Sequence, residues 1–324
     1  MSQDTPMGSV YRALLLAACA YVAIPGAAVA YPDRPVSIIV PAAPGSGPDV
    51  TARVLADSLS RQWKQQVVIV NRPGGSGVIG AQAATSAPAD GYSLFMALSS
   101  AFAVLPESKT KLPVDLATDL ATIGLIADQP MTVAVSPRLG VNTLADFIAL
   151  AKRRPNELLY GATRLSVPHM TGELLNLRAD IKLGYIPTQG ASKVVQDMMN
   201  GGLQVYVDSV PGMANALQAG AVKALAVASD RRLENYPDLP LASDTLPDFQ
   251  AKGWFVLMAP GKTPRTIVTQ LSADLHTALK DSDLRKRLEV LGTYARPLSV
   301  EQTRAFIRAE QELWRPIVRQ IGVD

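Results

Sequence analysis

Two glycine-rich segments hold the residues whose type and spacing could do chemistry. Gly75-Ser-Gly-Val-Ile-Gly80 matches G-x-G-x-x-G, follows an apolar run and opens a helical pattern. Pro41-Ala-Ala-Pro-Gly-Ser-Gly-Pro-Asp49 sits in the same position after an earlier apolar run. Loops of this kind deliver backbone N–H groups to a helix start, where the first turn leaves donors unpaired and the dipole is positive. Two such ends side by side can receive an anion of modest size. A dinucleotide would require the glycine motif on the first strand and an acid about twenty residues on. Here the motif follows the second strand, and residues 95–105 contain no acid. The P-loop and nucleophile-elbow patterns are absent, although Ser46 and Ser76 both lie in glycine loops.

Other reactive side chains are few. His169 and His276 are the only imidazoles, and they are far apart and not at metal-ligand spacing. Cys19 is the only cysteine, and it falls in a segment expected to be removed, which leaves no thiol chemistry and no disulfide. Neither a metal nor a cofactor is expected. Asp49 reads as the N-cap of the first helix, with two further roles open: accepting a ligand hydrogen bond and holding its loop. His169 reads foremost as a packed histidine bonded to backbone. Asp208 suits a turn and cap, or equally a polar group lining a cleft. Arg164, in a loop at a strand's C-terminal end, could grip a carboxylate bidentately.

The elements that must position these residues alternate apolar strands with amphipathic helices, which predicts an α/β protein with mainly parallel sheets covered by helices. Strands are expected at 36–40, 67–70 and 92–97, the last ending at Ser99-Ser100. Helices are expected from Val50 and from Val78. Residues 103–128 are irregular, with Pro106 and Pro113, and read as a crossing into a second domain. Strands and helices alternate again from Met131 to Ala228, and a strand at 254–258 reads as the return crossing. Helices then fill 264–280, 283–291 and 300–321, the last with Phe306, Glu310, Leu313 and Ile317 near one face and a kink at Pro316. The expected domains are therefore 31–131 with 253–324, and 132–252. Joined by two crossover segments, they make a hinged clamshell whose cleft is the natural ligand site.

The 324 residues suit two such domains, and the 48% hydrophobic and 18% charged composition is that of a globular chain. A net charge of +3 without a basic stripe gives no footprint for nucleic acid. Residues 1–30 have one basic residue, Arg12, then an uncharged run ending Ala28-Val29-Ala30. That describes a secretory signal peptide cleaved after Ala30. A membrane anchor is marginal because Pro25-Gly26 breaks the run. Lipid attachment at Cys19, within Leu16-Ala-Ala-Cys19, ranks below cleavage because the apolar run before it is short.

From Tyr31 onward the chain resembles the solute-binding receptors of tripartite tricarboxylate transporters, the TctC or Bug family. The resemblance rests on Tyr31-Pro-Asp-Arg-Pro-Val36, Pro41-x-x-Pro-Gly45 to Asp49, Asn71-x-Pro-Gly-Gly-Ser-Gly77 and Asp90-Gly91-Tyr92. His169-Met-Thr-Gly-Glu173 and Leu225-Ala-Val-Ala-Ser229, with Arg231 close behind, add to it. It implies a periplasmic two-domain clamshell that binds a small mono-, di- or tricarboxylate without chemistry, works as a monomer, and passes its ligand to the membrane permease subunits of such a transporter. It also implies a ligand set: Ala43, Gly45, Ser46, Gly47 and Asp49 in the first loop, Gly75, Ser76 and Gly77 in the second, and Ser99. Thr163, Arg164, Ser166, His169, Thr188, Gly190, Ala191 and Asp208 would face them. Three departures from the family pattern stand out. Ser46 replaces a second glycine, the 161–169 loop is one residue shorter with Arg164-Leu165 in place of glycines, and Thr188 replaces a tyrosine. Two other readings remain open: a periplasmic hydrolase using Ser46 or Ser76 with His169, and a ligand-sensing module for a membrane kinase.

Overall fold

Short runs of Val and Ile make the first strands, and the glycine and proline after each run make the turns into helices. The computed structural model describes residues 31–108 and 113–322, so the expected signal peptide, its cleavage point and Cys19 lie outside the described residues. In chain order, β1 (Val36–Val40), α1 (Gly47–Trp63), β2 (Val67–Asn71), α2 (Val78–Thr85) and β3 (Ser93–Leu98) build the first lobe. A short α3 (Ser99–Ala103) leads to β4 (Leu120–Val135). The second lobe holds α4 (Leu144–Arg153), β5 (Leu159–Ala162), α5 (Val167–Ala179) and β6 (Gly184–Pro187). It continues with α6 (Ala191–Met199), β7 (Val205–Ser209), α7 (Val210–Gln218) and β8 (Lys223–Val227). β9 (Lys252–Pro260) returns, followed by α8 (Arg265–Lys280), α9 (Ser282–Val290), β10 (Tyr294–Ala295) and α10 (Val300–Ile321).

The expected α/β clamshell is what forms, but its sheet is mixed rather than mainly parallel. The strand order is β2-β1-β3-β9-β4-β7-β5-β6, with β8 and β10 also on β4. β1 runs parallel to β2 and β3, and β5 parallel to β6 and β7. The crossing strands β4 and β9 run against their neighbours.

β4 is the larger correction. The stretch read as an irregular crossing is a 16-residue strand from Leu120, buried at every position but Ala121. Gly124, Asp128 and Pro130 interrupt its apolar pattern, which hid it. Pro130 has a use here: it pairs with Lys252 at the end of the β9 ladder and has no N–H to donate. From Met131 the strand pairs with β7, and from Thr132 also with β8. One strand thus serves both lobes.

Two helix details also differ. α1 opens at Gly47, three residues before Val50, because Ser46 takes the extended N-cap conformation and Pro48 suits the first turn. α10 has the capping box expected at Ser299 and Gln302 and runs through Pro316 to Ile321. It buries Thr303, Ile307, Glu310, Trp314 and Val318, whereas Leu313 is 59% exposed. Glu310 is tolerated in that face because its Oε2 accepts the Trp254 indole N–H at 2.9 Å, with the Lys252 ammonium 3.6 Å from Oε1. Trp254 stacks on Phe102 and meets Phe306 edge-on.

Under the second lobe, Tyr160 is fully buried, and its hydroxyl donates to Glu173 Oε1 at 2.6 Å. α5 passes so close that a Cβ on Gly172 would sit 2.4 Å from the Tyr160 ring. Gly172→Ala should therefore cost about 1–3 kcal/mol, read as a lower urea midpoint at unchanged slope. An unchanged midpoint would contradict this packing.

Candidate functional site

The two glycine loops are tied together from below by one carboxylate. Asp49 is 2% exposed and lies three residues into α1, inside its first turn; the N-cap position expected for it belongs to Ser46. Its Oδ2 accepts the Gly45 N–H and Arg53 Nε, each at 2.9 Å. Its Oδ1 accepts Arg53 Nη2 at 3.0 Å and Asn71 Nδ2 at 2.9 Å. Burial raises its pKa, but the bonds from Arg53, Gly45 and Asn71 outweigh that and hold the carboxyl below its ordinary value. Asn71 Nδ2 also donates to the Ala42 carbonyl, at 3.0 Å. Of the roles open for Asp49, the structure gives it that of holding the loop, and its oxygens are committed to that.

The second loop bends through four successive residues with positive φ: Gly74 (118°), Gly75 (56°), Ser76 (56°) and Gly77 (102°). Only glycine enters that region freely, and left-handed turns of this sort aim N–H groups into a shared concavity. Gly80 is required for another reason, since a Cβ there would stand 2.6 Å from Pro41 Cβ. The G-x-G-x-x-G spacing is thus accounted for by two turn glycines and one close approach between the loops.

Around the two glycine loops, three approaches bring residues of the lobes together. Ser76 Oγ donates to the Arg164 carbonyl at 2.8 Å. A Cβ on Gly190 would lie 3.5 Å from Ala43 Cβ. A Cβ on Gly47 would lie 2.5 Å from both Gln129 Oε1 and Ser209 Oγ. Ala43, Gly47, Ser76, Arg164 and Gly190 are therefore brought together. Ser209, in the 208–209 loop expected to face them, joins them, and Gln129 does so unforeseen. Gln129 is 2% exposed, with Nε2 donating to Thr51 Oγ1 and Thr293 Oγ1. A glutamine inside a long strand carries no sequence signal for this, whereas Ser209 as N-cap ahead of Pro211 carried a weak one.

The remaining candidates are placed as follows. Gly45 is exposed, and Ser46 donates its hydroxyl to the Ala43 carbonyl at 2.7 Å. Ser99 is buried beside a small cavity shared with Val167, Met170, Lys252 and Trp254. The Thr163 carbonyl accepts the Ser166 N–H, and Ser166 caps α5 by accepting the His169 N–H. Leu165 takes φ +58°, the conformation a glycine would take, and its side chain is fully buried. Its N–H donates to His169 Nδ1 at 3.1 Å, which puts the histidine proton on Nε2, 4.0 Å from Glu173 Oε1. His169 is 5% exposed and stacks on Tyr185 with ring centres 3.9 Å apart, so the packed reading matches its surroundings. Burial, helped by the Arg164 charge, pushes its pKa down to about 4. Neither Ser46 nor Ser76 directs its hydroxyl at this imidazole.

Thr188 donates its N–H to the Ala162 carbonyl at 3.0 Å, and its buried hydroxyl meets no partner among the described residues. Gly190, at φ +83°, is the N-cap of α6, and Ala191 is its first residue. Asp208 lies under the start of α7: Oδ1 accepts the Ser209 N–H at 2.7 Å and Oδ2 the Tyr206 hydroxyl at 3.1 Å. A Cβ on Gly212 would press on this carboxyl at 2.5 Å. The turn reading is the one these bonds favour. Burial raises the Asp208 pKa to about 6 despite those bonds.

Three helices, α1, α5 and α7, begin with a proline in the first turn. Each loses one donor there, so the N–H groups of Gly47, Asp49, Val167 and Gly212 matter more. The arrangement is one of helix starts and left-handed turns, whose free N–H groups can receive an anion.

Two tests address this geometry. Gly47→Ala should hold the lobes apart and enlarge the radius of gyration in small-angle scattering; an unchanged radius would mean that Gln129 and Ser209 give way. The second test follows titration. His169, depressed from 6.5 to about 4, contributes stability that is present above pH 6.5 and lost as pH falls through 4. Asp208, raised from 3.8 to about 6, contributes stability that is present below its ordinary value and lost as pH rises through 6. The two oppose each other, each by about 3 kcal/mol. His169→Asn should therefore gain stability relative to wild type as pH falls from 6.5 to 4, and Asp208→Asn should lose it, both read from urea midpoints. Parallel pH profiles for all three proteins would refute these assignments.

Comparison with known proteins agrees with the architecture. Residues 51–323 match the family model described as tripartite tricarboxylate transporter family receptor. Protein BugT of Bordetella pertussis is 33% identical over 308 residues, which is 94% of each chain. The R. palustris Rpa4515 structure with adipate superposes with a TM-score of 0.86 at 29% identity, covering 90% of this chain and 99% of that one. MatC from Rhodopseudomonas palustris with bound malate gives a TM-score of 0.79 at 26% identity, covering 89% and 100%. The chain therefore belongs to the tripartite tricarboxylate transporter receptor family, the family of the Bug proteins.

Proposed function

We propose that this protein is a periplasmic solute-binding receptor that captures a small organic carboxylate, foremost a di- or tricarboxylate, between its two lobes and delivers it to the membrane permease of a tripartite tricarboxylate transporter. The observation that carries this reading is the pair of loops at 41–47 and 74–77, braced by Asp49 and faced by Arg164, Gly190 and Ser209. Family relatives with adipate and malate bound support the ligand class. The lobes of this reading are 31–131 with 253–324, and 132–252, with β4 and β9 as the crossings. Export would follow removal of residues 1–30. The hydroxyls of Ser46 and Ser76 are donated to carbonyls rather than to His169, which favours capture over hydrolysis.

The energetics suit such a site. Taking a carboxylate out of water costs several kcal/mol. Charge-assisted hydrogen bonds return roughly 1.5–3 kcal/mol each, so about three to five donors suffice. A micromolar receptor needs only about −8 kcal/mol net. The test is a thermal-shift screen of the mature protein against adipate, malate, citrate, aliphatic and aromatic monocarboxylates, neutral sugars and amines. A carboxylate at 100 times its Kd should add about 2.7 kcal/mol of stability. A response to sugars or amines with none to carboxylates would reject the reading.

A further inference from the structure

The Ser76 hydroxyl is committed to a protein carbonyl. It donates across the mouth of the cleft, to the main-chain carbonyl of Arg164, 88 residues away. Both ends of this bond are held in conformations that their residue types disfavour. Ser76 sits at φ +56° between Gly75 and Gly77, and Leu165, directly after the acceptor, sits at φ +58°. A glycine would serve at either place with less strain. Each side chain therefore has a use that glycine cannot supply. For Leu165 it is burial: the side chain is inaccessible, and its N–H is fastened to His169 Nδ1, whose ring is stacked on Tyr185. The carbonyl of Arg164 is thus presented by a rigid turn. For Ser76 the use is the hydrogen bond itself. The neighbouring cross-cleft approach, Ala43 against Gly190, is apolar and non-directional.

We infer that Ser76 is a latch: a positioning residue whose hydroxyl fastens the closed lobes by gripping the Arg164 carbonyl, and which sets how long a ligand stays rather than which ligand enters. This rests on the receptor reading above, and a carboxylate bound between the lobes would leave only after the bond opens. The hydroxyl touches the opposite lobe, so its contribution should be blind to the ligand. Because the bond lies at the exposed rim, it should act mainly on release, not on entry.

The experiment compares wild type with Ser76→Gly and Ser76→Ala. Stopped-flow association and dissociation are measured with adipate, malate and a straight-chain monocarboxylate. Unliganded melting and amide exchange over 163–166 are measured on the same proteins. Loss of one hydrogen bond predicts dissociation faster by roughly three- to tenfold, the same factor for every carboxylate that binds, with association unchanged. Ser76→Gly should melt no lower than wild type without ligand, since glycine accepts the positive φ, while the 163–166 amides exchange faster. Unchanged dissociation overturns the latch. So does a loss confined to one class of carboxylate, which would put the hydroxyl on the ligand, or an equal loss of melting temperature with and without ligand, which would make the role one of local folding. If no carboxylate binds wild type, the receptor reading fails. The exchange measurement then still decides whether Ser76 fastens the lobes: faster exchange in the variants upholds that bond without a role in ligand release, and unchanged protection overturns it.

Discussion

A single buried carboxylate sets the geometry on which the rest of this molecule depends. Asp49 accepts from the Gly45 backbone, from both sides of the Arg53 fork and from Asn71, and so joins the first loop, the first helix and the second strand. A carboxylate so enclosed would be costly alone; the guanidinium and the backbone donor offset that cost. With the two loops held at a fixed spacing, Gly47 is brought to the floor of the cleft, and the run of left-handed residues from Gly74 to Gly77 faces the other lobe. A ligand anion would meet two helix starts already in place, and preorganised donors lose little on binding.

The second dependence is closeness. Gly47 and Gly190 stand where the lobes come close, with no room for a Cβ at Gly47 and Ala43 against Gly190. The crossing strands β4 and β9 pair along most of their length, so the connection between the lobes is a ladder rather than a loose linker. Around that ladder Asp128 takes an ion pair from Arg296, and Lys252 lies between Asp128 and Glu310. Burial raises the Asp128 pKa despite these cations.

Several polar residues that attract notice in the sequence turn out to be braces behind the site. His169 holds the 163–166 turn and is kept neutral by burial. Asp208 holds the start of α7. What faces the opposite lobe is mostly main chain: the Arg164 carbonyl, the glycines at 47 and 190, and the N–H groups of helix first turns.

The paired loops, the alternation of strand and helix, most helix starts and stops, and the family are legible in the residues alone. Those features are local: a cap is read from residues three apart, as at Ser299 and Gln302, and a buried strand from four or five apolar residues in a row. Only the tertiary structure decided the course of β4, whose glycine, aspartate and proline break its local pattern while pairing on both sides keeps it a strand. It likewise decided that Asp49 braces, that Leu165 accepts a left-handed turn, and that Ser76 reaches Arg164. Two of these depend on groups brought together from distant parts of the chain: 22 residues for Asp49 with Asn71, 88 for Ser76 with Arg164. No local periodicity encodes a partner at that range: the pairing of β2 with β1 places Asn71, and the approach of one lobe to the other places Arg164.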